Sequence, residues 1–153
     1  MPKIDHHEAP VRFDRDARGR LAAALDRDEL AVAYLFGSQA QGRAAGLSDV
    51  DVAVLLDLSI DPEERLSLQL ELIAVAARTL RSSRLDLVIL DDAPVLLRHR
   101  VVRDGERLLE RDRARRVRFE TATILEYLDT KPLRSELARG VRRRLAEGTF
   151  GRR

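Results

Sequence analysis

Asp49 and Asp51 stand two residues apart at the head of an apolar run, Val50–Leu56. That placement constrains the fold more than any other feature of the chain. Side chains on a strand alternate between faces. Both carboxylates therefore point one way, while Val50, Val52, Val54 and Leu56 point the other way into a core. A third acid, Asp86, lies inside a second apolar run, Leu85–Leu90, where Leu85, Leu87 and Ile89 share one face and Asp86 takes the opposite one. Two carboxylates about 4 Å apart repel by roughly 4 kcal/mol at an effective dielectric near 20. A fold accepts that cost if divalent cations bind between them. Oxygen-only ligand sets suit Mg²⁺, which is held by one or two carboxylates plus substrate phosphates. Ions shared in this way fit two-metal displacement at phosphorus.

The complementary half is a turn. A hydrophobic strand, Leu30–Phe36, runs into Gly37-Ser38. Glycine after a strand lets the backbone approach a ligand closely. If Ser38 opens a short helix through Gln39, Ala40 and Gln41, its first amides point at an anion, and the Ser38 hydroxyl adds a donor. A triphosphate would then sit between backbone amides and metal-bound carboxylates.

Phe36-Gly37-Ser38, Asp49-Val50-Asp51 and Asp86 together resemble the signature of the polymerase-β-like nucleotidyltransferases: hydrophobic-Gly-Ser, a short loop, Asp-hydrophobic-Asp, then an acid on a later strand. Within that superfamily the short chain is similar to the minimal nucleotidyltransferases (MNT), the antitoxins of HEPN/MNT toxin–antitoxin pairs. The resemblance covers residues 20–110 well and residues 117–133 more loosely. Gln41 departs from it, since many relatives carry Gly-Ser-x-Ala-Arg-Gly; Arg43, two residues on, is the candidate replacement for phosphate contact.

The resemblance implies a mechanism. Asp49, Asp51 and Asp86 would be the catalytic and metal-holding acids for two Mg²⁺ ions, and Gly37, Ser38 and Arg43 would contact the nucleotide. The nucleotide would be ATP, and the acceptor a tyrosine hydroxyl on a HEPN-type RNase toxin that receives AMP. Two alternatives stand beside it: a small-molecule nucleotidyltransferase of the aminoglycoside type, and a non-catalytic module that silences a toxin by binding. Transfer to an RNA end is a third.

Each motif has a plainer reading. Gly-Ser is a common turn, and Asp49 is also a good strand opener after the Gly46–Ser48 loop. Asp51, however, sits in a run that is otherwise apolar, whereas an exposed strand would alternate with polar residues.

The chain of 153 residues has room for one domain, residues 1–153, with a catalytic core over about residues 12–110 and C-terminal helices over 113–147. It has no cysteine, so neither disulfides nor a thiolate zinc site are available. No signal peptide or membrane-spanning run is evident, and the cytoplasm is the expected compartment. His6 and His7 lie in a polar N-terminal segment, and His99 stands between Arg98 and Arg100 as a surface residue. Net charge is +2, yet Arg134–Arg153 holds seven arginines against Glu136 and Glu147. That stretch reads either as a solvated helix or as a surface for an acidic partner. Phe150 is its lone aromatic, so base stacking and direct RNA binding are disfavoured. Homo- or hetero-oligomers are both open, with Val101, Val102, Leu108 and Leu109 as core or interface.

Periodicity and punctuation predict the elements. Arg12–Arg27 reads as a helix with Phe13, Ala17, Leu21, Ala24 and Leu25 inward. Asp61-Pro62-Glu63-Glu64 opens a helix to about Leu80 with Leu66, Leu70, Ile73, Ala77 and Leu80 on the sheet. Arg84–Leu90 is the third strand, Asp92 caps a helix over 94–103, and Glu106–Glu110 is a short edge strand. A helix over Arg113–Leu128 turns Val117, Ile124, Leu125 and Leu128 inward, and Pro132 separates it from a last helix, Arg134–Glu147. The fold class is α/β (α+β): a small mixed sheet with helices on one face and the cleft on the other.

Overall fold

Helix α1, Arg15–Ala24, is capped by Asp14, whose side chain accepts a hydrogen bond from the Ala17 amide at 2.8 Å. The computed structural model describes residues 13–37 and 49–148. After α1 come β1 (Leu30–Phe36), β2 (Val50–Leu56), α2 (Arg65–Leu80), β3 (Leu85–Ile89), α3 (Val95–Asp104), β4 (Glu106–Glu110), α4 (Arg113–Asp129) and α5 (Lys131–Ala146). None of the described helices is long and apolar enough to cross a membrane.

The strands form one mixed sheet in the order β3-β2-β1-β4. β1 pairs antiparallel with both β2 and β4, while β2 and β3 run parallel, joined through α2. The mixed α/β architecture expected from the sequence is therefore present.

The helix layer differs from expectation. Helices cover both faces of the sheet. Val50, Val52, Val54, Leu87 and Ile89 pack with Leu21 and Leu25 of the α1 segment and with Leu68, Leu72 and Ala76 of α2. On the other face Tyr34, Phe36, Ala53 and Leu55 pack with Leu90, with Val101 of α3 and with Phe119 of α4. The acids do not clear a whole face, because Asp51 and Asp86 are only the second residues of their strands. Past them the same face is apolar, with Ala53 and Leu55 on β2 and Val88 on β3, and it needs covering.

Two helices are rotated relative to the periodicity reading. In α2 the buried ladder is Leu68, Leu72, Ala76 and Leu80, while Leu66 and Leu70 are exposed. In α4 Phe119 and Thr123 face inward, and Val117, Ile124, Leu125 and Leu128 face out. In α2 two apolar ladders share the same spacing and the competing one wins by fit to the sheet, while α4 turns Phe119 and the polar Thr123 inward. The α4 stripe continues on α5 as exposed Leu133, Leu137, Val141 and Leu145.

Smaller corrections concern the ends. Pro94, not Asp92, is the N-cap of α3, and the Asp92 carboxylate pairs instead with Arg65 at 2.5 Å. The last helix is separate from α4 as expected, but it begins at Lys131 and not at Arg134, so Pro132 lies in its first turn, where the missing N–H costs nothing. Val101 is core, and His99 stacks on Tyr127 with ring centroids 3.5 Å apart.

Candidate active site

The parallel register of β2 and β3 sets Asp51 directly beside Asp86. Neighbouring strands lie about 4.8 Å apart, so the two carboxylates leave the sheet side by side. The antiparallel register of β1 and β2 sets Phe36 opposite Asp51, which brings the following residue, Gly37, to the same spot. Asp49 directly precedes β2 and shares the face of Asp51. The three acids thus meet at one end of the sheet, on the face that α3 and α4 cover further along.

Gly37 adopts φ of +72°, a conformation that side chains rarely tolerate. A β-carbon there would lie 2.2 Å from Oδ2 of Asp51. The turn and the carboxylate are therefore packed against one another, and only glycine fits between them.

Asp51 carries the electrostatic signature of the site. Burial pushes its carboxyl above the ordinary range of about 3.8, the negative charges of Asp86 and Asp49 raise it further, and Arg100 of α3 draws it back. Arg84, just ahead of β3, donates from Nε to Oδ1 of Asp49 at 3.0 Å. The Arg84 carbonyl accepts from the Val50 amide at 3.0 Å, between Asp49 and Asp51.

Among the described residues no three acidic or imidazole side chains lie together in metal-binding geometry. Asp49 is engaged by Arg84. The donor set is nevertheless all oxygen and mutually repulsive, which fits a hard divalent cation once Asp49 is released.

Gly37, Asp49, Asp51 and Asp86 are thus gathered in one place, while Ser38, Gln41 and Arg43 lie outside the described residues. Sequence reasoning did not identify Arg84 or Arg100. Arg84 becomes visible once the parallel register is known, because it precedes Leu85, the partner of Val50. Arg100 is signalled by nothing short of the docking of α3.

Residues 20–114 match the family model described as polymerase beta, nucleotidyltransferase. No curated protein matches the sequence significantly. Among solved structures, the chain is similar to a chain of a toxin–antitoxin crystal structure with AMP-PNP: 30% identity, over 81% of this chain and 97% of that one, with a TM-score of 0.66. It is likewise similar to a chain of a toxin–antitoxin MntA-HepT structure, with 26% identity, coverages of 84% and 98%, and a TM-score of 0.63. A third is the structure of a tri-AMPylated Shewanella oneidensis HEPN toxin with MNT antitoxin, at 28% identity, coverages of 82% and 95%, and a TM-score of 0.62. The chain belongs to the polymerase beta nucleotidyltransferase family and, within it, to the MNT antitoxins.

Proposed function

We propose that this chain transfers AMP from ATP to a tyrosine hydroxyl of a cognate HEPN-type RNase toxin in the cytoplasm and silences it. The observation that carries the reading is the register pair Asp51–Asp86 set against the left-handed Gly37 turn. A solved relative that holds AMP-PNP and another whose toxin is tri-AMPylated support the choice of adenine nucleotide and of a protein acceptor.

Asp49, Asp51 and Asp86 are the residues that would hold Mg²⁺, which when bound neutralises the phosphates and the developing charge of the leaving group. The Gly37 turn and Ser38 present the triphosphate, and Arg43 is the candidate side-chain contact to it. The acceptor oxygen attacks the α-phosphorus, forming a P–O bond. The bond from the α-phosphorus to the bridging oxygen breaks, and pyrophosphate leaves with its electrons. The hydroxyl proton passes to a carboxylate oxygen of Asp86. An added AMP puts bulk and negative charge where the toxin must bind RNA phosphate.

Leu125 and Leu128 on α4 with Leu133 and Leu137 on α5 leave apolar surface exposed, which favours a protein acceptor over a small molecule. Intact-mass measurement of the toxin after co-expression tests the reading. AMP-sized increments with the wild-type chain, absent with Asp51→Asn, are expected. Full neutralisation of an unmodified toxin would leave binding alone as the mechanism.

A further inference from the structure

We infer that Arg84 is a resident counter-cation: it holds Asp49 while the site is empty, and it passes to the nucleotide's phosphates when metal and nucleotide enter together. This inference rests on the metal-binding reading of the three aspartates.

The backbone of Arg84 is fixed from both sides. Arg81, in the left-handed conformation at φ of 52°, ends α2, and the Ser82 amide returns to the Ala77 carbonyl at 3.1 Å. Buried Ser82 then accepts the Arg84 amide at 3.0 Å through its Oγ. The Arg84 carbonyl is bound by Val50, as above. That anchoring sets the root of the side chain beside Asp49, to which the guanidinium donates. The Arg84 side chain remains 41% exposed and the Asp49 side chain 60% exposed, so the contact opens at little cost.

Electrostatics give the contact a purpose. Three carboxylates at one strand end repel in the absence of metal, and a tethered guanidinium relieves that repulsion without a dissolved ion. A divalent cation must compete with Arg84 for Asp49. Metal without nucleotide therefore binds against a resident charge. A metal–nucleotide complex brings phosphate oxygens, to which a guanidinium fits as a two-pronged donor. Arg84 is then a positioning residue whose release couples metal binding to nucleotide binding.

Mn²⁺ binding measured by electron paramagnetic resonance tests this, in the absence and presence of AMP-PNP, with wild type, Arg84→Gln and Arg84→Lys. Without nucleotide, Arg84→Gln is expected to bind Mn²⁺ about twofold to fivefold more tightly, the equivalent of losing one exposed ion pair. In the presence of Mn²⁺ it is expected to bind AMP-PNP about tenfold more weakly, the equivalent of a lost charge-assisted hydrogen bond. Arg84→Lys falls between on both scales. An ion pair with a purely structural role would not move the two affinities in opposite directions. Unchanged or weaker Mn²⁺ binding by Arg84→Gln overturns the inference and leaves the metal site standing. Tighter Mn²⁺ with unchanged AMP-PNP affinity overturns the transfer to phosphate. A wild-type chain that takes up no Mn²⁺ even with AMP-PNP removes the metal reading, and this inference with it.

Discussion

The Asp51 carboxylate occupies the space that a side chain on Gly37 would need. A β-carbon at Gly37 would meet Oδ2 at 2.2 Å, which leaves no room even for alanine. Gly37→Ala is expected to cost about 1–2 kcal/mol in urea unfolding from the left-handed backbone alone. It is also expected to lower AMP transfer much further, because the turn or Asp51 must shift. A Gly37→Ala chain with wild-type transfer rates would separate the turn from the active site.

Asp51→Asn removes one of three converging charges and is expected to stabilise the empty protein at neutral pH while abolishing transfer. The sign follows from the raised carboxyl. Between about 3.8 and the elevated native value, the folded state holds more protons than the unfolded one, so this group lowers stability as pH rises through that window. Above it the penalty is constant. Thermal melts of both proteins at pH 7 and pH 4 check this: the midpoint of the variant is expected to be higher at pH 7, with the difference shrinking at pH 4.

The strand identities, the three acids and their facing were legible in the chain because Val50–Leu56 and Leu85–Ile89 are short apolar runs interrupted by one acid each, at the second residue. Helix rotation was not. Leu66/Leu70 and Leu68/Leu72 satisfy the same spacing, and only contact with the sheet decides between them. The second helix layer is hidden for a related reason: Ala53 and Leu55 share the face of the acids, and the charges at the strand heads outweigh them when a face is read as a unit. Arg84 and Arg100 depend on strand register and helix docking, which no local pattern encodes. Ser38, Gln41 and Arg43 fall outside the described part of the structure.

Tyr34 is buried in β1, and its hydroxyl donates to Oε1 of Glu120 at 2.7 Å. Burial, then the Glu120 hydrogen bond, holds the phenol far above its ordinary range. The unfolded chain loses this proton near pH 10 and the folded one does not, so stability falls as pH rises past about 10. Ultraviolet titration is expected to show the Tyr34 phenol ionising only on unfolding. Tyr34→Phe is expected to cost about 1 kcal/mol and to remove that component of the alkaline instability.

Among the described residues, the ion pair most shielded from water joins Asp91 to Arg115 of α4 at 2.7 Å, with side chains 8% and 17% exposed. The other oxygen of Asp91 accepts the Leu56 amide at 2.9 Å, and Nε of Arg115 reaches the Leu56 carbonyl at 3.4 Å. The pair thus closes the end of β2 farthest from the acids and ties α4 to the sheet. Removing one partner leaves a buried charge without compensation, so Asp91→Ala is expected to destabilise by about 3–5 kcal/mol. Replacing both with apolar residues, Asp91→Leu with Arg115→Met, removes both charges and is expected to recover much of that loss. Urea unfolding of Asp91→Leu, Arg115→Met and the double variant forms the cycle that checks it, with Asp91→Ala measured beside them. A double variant no more stable than Asp91→Ala would mean that the Leu56 contacts, and not the paired charges, hold α4 in place.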